Sequence, residues 1–180
     1  MDDEADEVLM ARIAEGQELA FQLLMRRHLQ RSLAIARRMS LGAADAEDVV
    51  QEAWLRVWTT AARWRPTAAF KTWLYRVLVN LCLDRRRRRT HTALDAIPEP
   101  ADDSPDATAS IEATETARLV AAAIAELPER QRAALVLSYY EGLSNAECAT
   151  VLDATVAGVE ALLVRARRAL RARLQAQLAR

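Results

Sequence analysis

Apolar positions recur along this chain at intervals of three and four, the spacing that gathers them on one face of a helix. The first such segment covers residues 5–15. A second runs over 18–41 and places Phe21, Leu24, Met25, His28, Leu29, Leu33, Ile35 and Ala36 on its core side. It should stop at Gly42, a residue suited to the position just past a helix. The third opens at Asp45, has Asp48 three residues on, and carries Val50, Ala53, Trp54, Val57 and Trp58 as its stripe. The spacing breaks over 63–69, where Pro66 marks a loop. A fourth helix turns Phe70, Trp73, Leu74, Val77, Leu78, Leu81 and Cys82 inward and runs into the arginines of 85–89. Its outward face would present Lys71, Thr72, Tyr75, Arg76, Val79 and Asn80.

Between 90 and 110 the pattern disappears. Pro98, Pro100 and Pro105 stand among five acidic residues and no basic one, which predicts a flexible linker. Helix resumes over 111–126. Pro128 fits the first turn of the next helix, which should end at Gly142. Residues 143–174 then read as a helix-turn-helix. Ser144 and Glu147 form a capping box, with Ala146, Ala149 and Leu152 as the apolar face behind it. Asp153 and Ala154 break the helix, and Thr155 can cap the next one. There Val159, Leu162, Leu163, Ala166 and Leu170 face inward, opposite Ala157, Gly158, Glu160, Ala161, Val164, Arg165 and Arg168. Small residues at the amino end, followed by arginines, suit a helix in the DNA major groove: close approach to base edges first, phosphate contacts after. The expected fold is all-α, with small helical domains at 1–89 and 111–180 joined by the acidic linker 90–110.

Charge sharpens this picture. The 180 residues sum to zero, but 60–89 carry +8 and 118–180 carry +3, while 1–59 carry −4 and 90–117 carry −7. Basic zones separated by an acidic strip suggest separate polyanion contacts on one chain. Lys71 is the single lysine. Cys82 and Cys148 lie far apart on apolar faces and are expected as buried free thiols. His28 and His91 are too few for a histidine-rich zinc site. The amino terminus is acidic, without a signal peptide's basic start and apolar run, and no apolar run is long enough to span a membrane. A cytoplasmic protein is expected.

A second chemical feature lies at 63–89. Arg63, Arg65, Lys71 and Arg76 surround Trp64, Phe70, Trp73 and Tyr75. Cations hold a nucleic-acid backbone while rings and pockets receive unstacked bases, so this mixture suits single-stranded or melting DNA. Asn80 could pair with a base edge. Phe70 and Trp73 sit at core spacing, and Trp64 divides evenly between core and ligand. The third helix sets Asp48, Gln51, Glu52 and Arg56 opposite its stripe, a polar face that by itself means only contact with water.

Taken together, these stretches resemble the extracytoplasmic-function (ECF) group of sigma factors, the promoter-recognition subunits of bacterial RNA polymerase. DAEDVVQEAWLRVW resembles that family's region 2.2. FKTWLYRVLVNLCLDRRRRR resembles regions 2.3 to 2.4, with Phe70, Trp73, Leu74, Asn80, Asp84 and the arginines in order. The stretch 127–170 resembles region 4. The resemblance implies a non-enzymatic factor with no cofactor, which binds core polymerase through the β′ clamp helices and the β flap and directs initiation at specific promoters. It implies polymerase contacts at Asp48, Gln51 and Glu52. It implies capture of a flipped −10 base by 64–69, with −10 contacts at Arg63, Trp64, Arg65, Lys71, Arg76 and Asn80. Thr155, Ala157, Gly158, Glu160 and Ala161 would approach the −35 bases, and Arg165, Arg167 and Arg168 the phosphates. An anti-sigma factor is the expected regulator, covering both domains. Asp153 stands where the family often has glycine, and Cys148 replaces a usual isoleucine. The alternative is a stand-alone helix-turn-helix regulator, which would bind duplex DNA tightly without polymerase. A nucleic-acid enzyme lacks a carboxylate or nucleophile cluster in this sequence. A purely structural adaptor would tolerate loss of Arg76 or Arg165.

Overall fold

The structure is a computed structural model that describes residues 4–39, 42–92 and 111–178. Among these every regular element is helical, with no strand. The first four helices are α1 (Asp6–Ala14), α2 (Glu18–Arg38), α3 (Ala43–Thr60) and α4 (Phe70–Thr92), with a 3-10 turn, Ala61–Arg63, after α3. The second set is α5 (Ile111–Ala125), α6 (Glu129–Leu135), α7 (Asn145–Leu152) and α8 (Val156–Leu178), with a π turn, Val136–Tyr140, extending α6. Residues 93–110, most of the expected linker, lie outside the described residues.

Several boundaries differ from the sequence reading. Helix α2 ends at Arg38, and Gly42 is the residue before α3 rather than the one that closes α2. Asp45 and Asp48 do not cap α3, which begins at Ala43; both carboxylates instead reach across to Arg85. Pro128 precedes α6 in an extended conformation instead of sitting inside its first turn. Left-handed glycines do close two segments, Gly16 after α1 and Gly142 after the π turn, with φ of 83° and 68°.

The helix-turn-helix forms as its residues dictate. Ser144 accepts from the Glu147 N–H, and the Glu147 carboxylate accepts from the Ser144 N–H at 2.8 Å, so orphan donors at the α7 start are met reciprocally. Asp153 takes the left-handed turn, φ 49°, that a glycine would adopt at lower cost. Thr155 then caps α8 through the Gly158 N–H at 3.0 Å. Ala146 is exposed; Cys148, Ala149, Val151 and Leu152 form the buried face of α7.

One apolar core runs through both halves of the chain. It joins Leu9 and Met10 of α1, Leu24 and Ile35 of α2, Val50, Ala53 and Trp54 of α3, and Phe70, Leu74 and Leu78 of α4 to Leu137, Leu143, Cys148, Val151 and Val159. A smaller cluster of Ile124, Leu127, Leu135 and Ala166 ties α5 to α8. Helix α4 packs directly on α7. For this reason Thr72, Tyr75 and Val79, expected on an outward face, are buried. Both cysteines are free and buried, and burial pushes the Cys82 thiol up to about 12 and the Cys148 thiol up to about 11.

Arg132 fastens the two halves. Its guanidinium, 1% exposed, donates to the Ile124 and Leu127 carbonyls at 3.0 and 2.7 Å and to the Ala125 carbonyl. It also donates to the Met39 carbonyl at 3.0 Å. These oxygens lie at the carboxy-terminal ends of α5 and α2, where helix dipoles present negative charge. Burial lowers the Arg132 pKa to about 10, so the group stays a cation at neutral pH. Arg86 reaches the same Met39 carbonyl at 3.4 Å and pairs with Glu129 at 3.1 Å.

The capping box supplies a test. Hydrogen bonds from Ser144 hold the Glu147 carboxyl below the ordinary glutamate range. Its contribution is therefore full above that range and is lost as pH falls through the lowered value. Ser144→Ala should cost about 1 kcal/mol at neutral pH in urea unfolding. The gap between variant and parent should narrow as the solution is acidified, because the Ser144 hydroxyl loses the carboxylate it donates to but still accepts the Glu147 N–H.

Candidate functional site

The polar face of α3 borders a groove. Phe21, Met25, Leu29 and Leu33 of α2 and Val50 and Trp54 of α3 line an apolar trough of about 540 Å³, with Glu47, Gln51 and Leu55 along its side. Gln51 is exposed there. Leu55 and Trp58, 60% and 38% exposed, extend the apolar surface beyond the trough. Trp58 was expected inside the stripe; it instead packs edge-on against Phe21 at 5.3 Å while remaining open to water. The buried Trp54 indole N–H has no hydrogen-bond partner. Glu52 pairs with Arg56 at 2.7 Å, and Asp48 with Arg85 at 2.6 Å. The hydrogen bonds that Arg85 donates to Asp45, then to Asp48, raise its pKa. Of the three residues expected at a polymerase contact, Gln51 borders the groove, while Asp48 and Glu52 hold partners within the chain. Leu55 falls outside the apolar stripe of α3 and stands exposed one helical turn beyond Gln51, an apolar residue on an otherwise polar face.

The segment before α4 presents its cations outward. Arg63 and Arg65 are exposed, as are Arg76 and Asn80 on α4. The Trp64 ring lies 6.3 Å from both Phe70 and Trp73, so it packs on the core; its buried N–H has no partner. Lys71 is half-buried. Its ammonium sits 3.5 Å from the Glu141 carbonyl and 5.5 Å from the centre of the Tyr75 ring. Tyr75 donates its hydroxyl to the Glu141 carboxylate at 2.8 Å, and burial, then that hydrogen bond, push its phenol far above the ordinary range. Arg38 stacks 4.3 Å over the Tyr140 ring. These contacts bring Lys71 into the junction with the second half, away from Arg76 and Asn80.

Helix α8 keeps its expected faces. Val159, Leu163 and Ala166 are buried, whereas Thr155, Ala157, Glu160, Ala161, Arg165, Arg167 and Arg168 are exposed. Gly158 is half-buried, and a β-carbon there would approach the Thr155 hydroxyl to 3.1 Å. Glu160 lies 3.5 Å from the Asn145 amide, and Arg167 contacts its own helix at the Leu163 carbonyl. Val156 and Val164 are also exposed, 44% and 56%. The result is a convex ridge with small side chains at its amino end and guanidiniums beyond, supported from behind by α6 and α7.

Comparison with known proteins decides what this pair of surfaces belongs to. The family Sigma-70 region 2 matches residues 24–92, and Sigma-70, region 4 matches residues 117–170. The chain belongs to the ECF group of the sigma-70 family. It is similar to the RNA polymerase sigma-H factor of Pseudomonas aeruginosa, 34% identical over 96% of this chain and 95% of that protein. It is also similar to the ECF sigma-E factor of Escherichia coli K12, 32% identical over 94% of each. Among solved structures, CnrH in complex with the cytosolic domain of CnrY matches at a TM-score of 0.73 and 31% identity, over 96% of this chain and 99% of that one. This sigma factor therefore carries both family regions, with the α3 groove and the 64–80 segment in the first and the α8 ridge in the second. The stand-alone regulator reading is not favoured, because the region 2 match spans α3 and α4. No helix among the described residues is long and apolar enough to cross a membrane.

The junction between the regions can be tested. Tyr75→Phe removes the hydroxyl and leaves the buried Glu141 carboxylate without that donor. It should destabilise the chain by about 1–3 kcal/mol, read from denaturant unfolding.

Proposed function

We propose that this sigma factor works in the cytoplasm as a non-catalytic, exchangeable subunit of RNA polymerase, gripping the −10 element with region 2 and the −35 element with region 4. The observation that carries this reading is the α8 ridge, which presents exposed small residues at its amino end and exposed arginines beyond them. Thr155, Ala157, Gly158, Glu160 and Ala161 approach bases; Arg165, Arg167 and Arg168 hold phosphates. Glu160 can accept from a cytosine amine while repelling phosphate, which orients the helix in the groove.

Core polymerase binds along α3. Gln51 and the exposed Leu55 give that contact a polar anchor beside an apolar patch, with Asp48 and Glu52 tuning the charge around it. Arg63, Trp64, Arg65, Lys71, Arg76 and Asn80 serve the −10 side, with Trp64 supporting the capture loop from the core. The neighbour solved with CnrY supports a protein regulator for this chain too, an anti-sigma factor that competes with polymerase for these surfaces.

Run-off transcription with purified core polymerase tests the reading. Gln51→Ala should weaken core binding about tenfold. Arg165→Ala should weaken promoter binding without changing core affinity, and should reduce the salt dependence of binding by roughly one ion equivalent. If neither variant loses output, the residue assignments are wrong.

The packed arrangement cannot serve both promoter elements at once. Elements centred about 25 base pairs apart lie about 85 Å apart on duplex DNA, whereas α4 and α7 are in direct contact. The regions therefore separate on the polymerase. With donor and acceptor dyes at Glu18→Cys and Arg171→Cys, transfer should be high in the free chain and should collapse on adding core polymerase. Unchanged transfer would sink this opening step.

A further inference from the structure

Helix α1 precedes the span matched by region 2, which begins at residue 24, yet it reaches the promoter-facing segment. The Glu7 carboxylate accepts the Phe70 N–H at 2.9 Å, across 63 positions of sequence. Phe70 is the first residue of α4, and the first turn of α4 contains no acidic residue of its own. Glu7 thus supplies from outside what an N-cap normally supplies locally: an acceptor for an orphan donor and a negative charge at the positive end of the helix dipole.

The origin of this contact is itself fixed. Asp6 accepts from Arg27 at 2.9 Å and pairs with His28 at 2.7 Å, and Arg27 also donates to the Glu4 carbonyl at 2.5 Å. Arg12 holds the Glu4 carboxylate at 2.6 Å. Leu9, Met10 and Ile13 anchor the buried side of α1, which packs on the 3-10 turn Ala61–Arg63. Residues 64–69 are consequently held at both ends by the same helix. One end leaves the turn that rests on α1, and the other enters α4 at the amide that Glu7 caps.

We infer that Glu7 is a positioning residue for −10 recognition: it sets the angle at which the 64–69 loop and the start of α4 meet the melting strand. It does not touch DNA. Its charge faces the helix terminus, and a carboxylate turned toward phosphates would oppose binding. The inference rests on the −10 role proposed for this segment.

The test uses holoenzyme assembled from the full chain and core polymerase, compared at equal core saturation so that unfolded variant is excluded. Permanganate reactivity of −10 thymines reports opening, and retention of a single-stranded −10 oligonucleotide reports capture. Glu7→Ala should lower both about tenfold while leaving core affinity within about twofold. Glu7→Gln keeps the acceptor oxygen and should recover most of the loss, which a purely destabilised protein would not show at equal saturation. Asn80→Ala is run alongside. If Asn80→Ala is defective and Glu7→Ala opens promoters like the parent, the inference is overturned. Equal loss in Glu7→Ala and Glu7→Gln would overturn it too. If Glu7→Ala is defective, Glu7→Gln recovers and Asn80→Ala is normal, the positioning role stands and the base-reading role of Asn80 falls.

Discussion

A buried cation whose hydrogen bonds, among the described residues, all go to backbone carbonyls sits where the two regions meet. Arg132 gathers carbonyls from the ends of α5 and α2, so that diffuse negative charge from helix termini surrounds the guanidinium, with the Glu129 carboxylate adding attraction at longer range. The arrangement is costly to desolvate, as its lowered pKa records. It is also specific, because a planar guanidinium meets these oxygens in few orientations. The apolar contact of α4 on α7 supplies area without direction. Arg132, with Arg86 on the same Met39 carbonyl, supplies the direction.

The same junction explains the burial pattern around it. The Tyr75 hydroxyl on the Glu141 carboxylate, Lys71 near the Glu141 carbonyl and Arg38 over Tyr140 all lie where the π turn and the residue after it meet region 2. Widening the backbone over Val136–Tyr140 leaves Tyr139 and Tyr140 exposed and Glu141 buried against α4. A π turn at such a place fits the tendency of this irregularity to occur where a fold needs a side chain re-aimed.

Local pattern made much of this legible. The Ser144–Glu147 box and the Thr155 cap depend on residues within a few positions of one another and appear where expected, as do the stripes of α2, α3 and α8 apart from the exposed Trp58 and a few residues at the ends of α2 and α3. What depends on distant partners was not legible. Counting faces on α4 left one side for solvent, because nothing in its spacing reveals that α7 covers Tyr75 and Val79. Asp45 and Asp48 read as capping residues, since Arg85 lies 37 positions beyond Asp48 and only the fold brings them together. Glu7 drew no notice for the same reason. A glycine between helices is compatible with closing one or opening the next, and Gly42 opens α3. At the candidate sites, residue type and order anticipated the exposure of Gln51, Arg76, Asn80 and Arg165. They did not reveal that Lys71 is drawn into the junction or that Leu55 stands exposed beside Gln51.

The contact of α4 with α7 bears on any affinity measured with the isolated protein. If only a fraction of molecules is separated at a given moment, every constant that requires separation is weakened by that fraction. The free chain would look like a poor reader of DNA even when each of its surfaces is well formed. A weak result in solution would then report how rarely α4 and α7 part, not how well α8 is shaped for a groove.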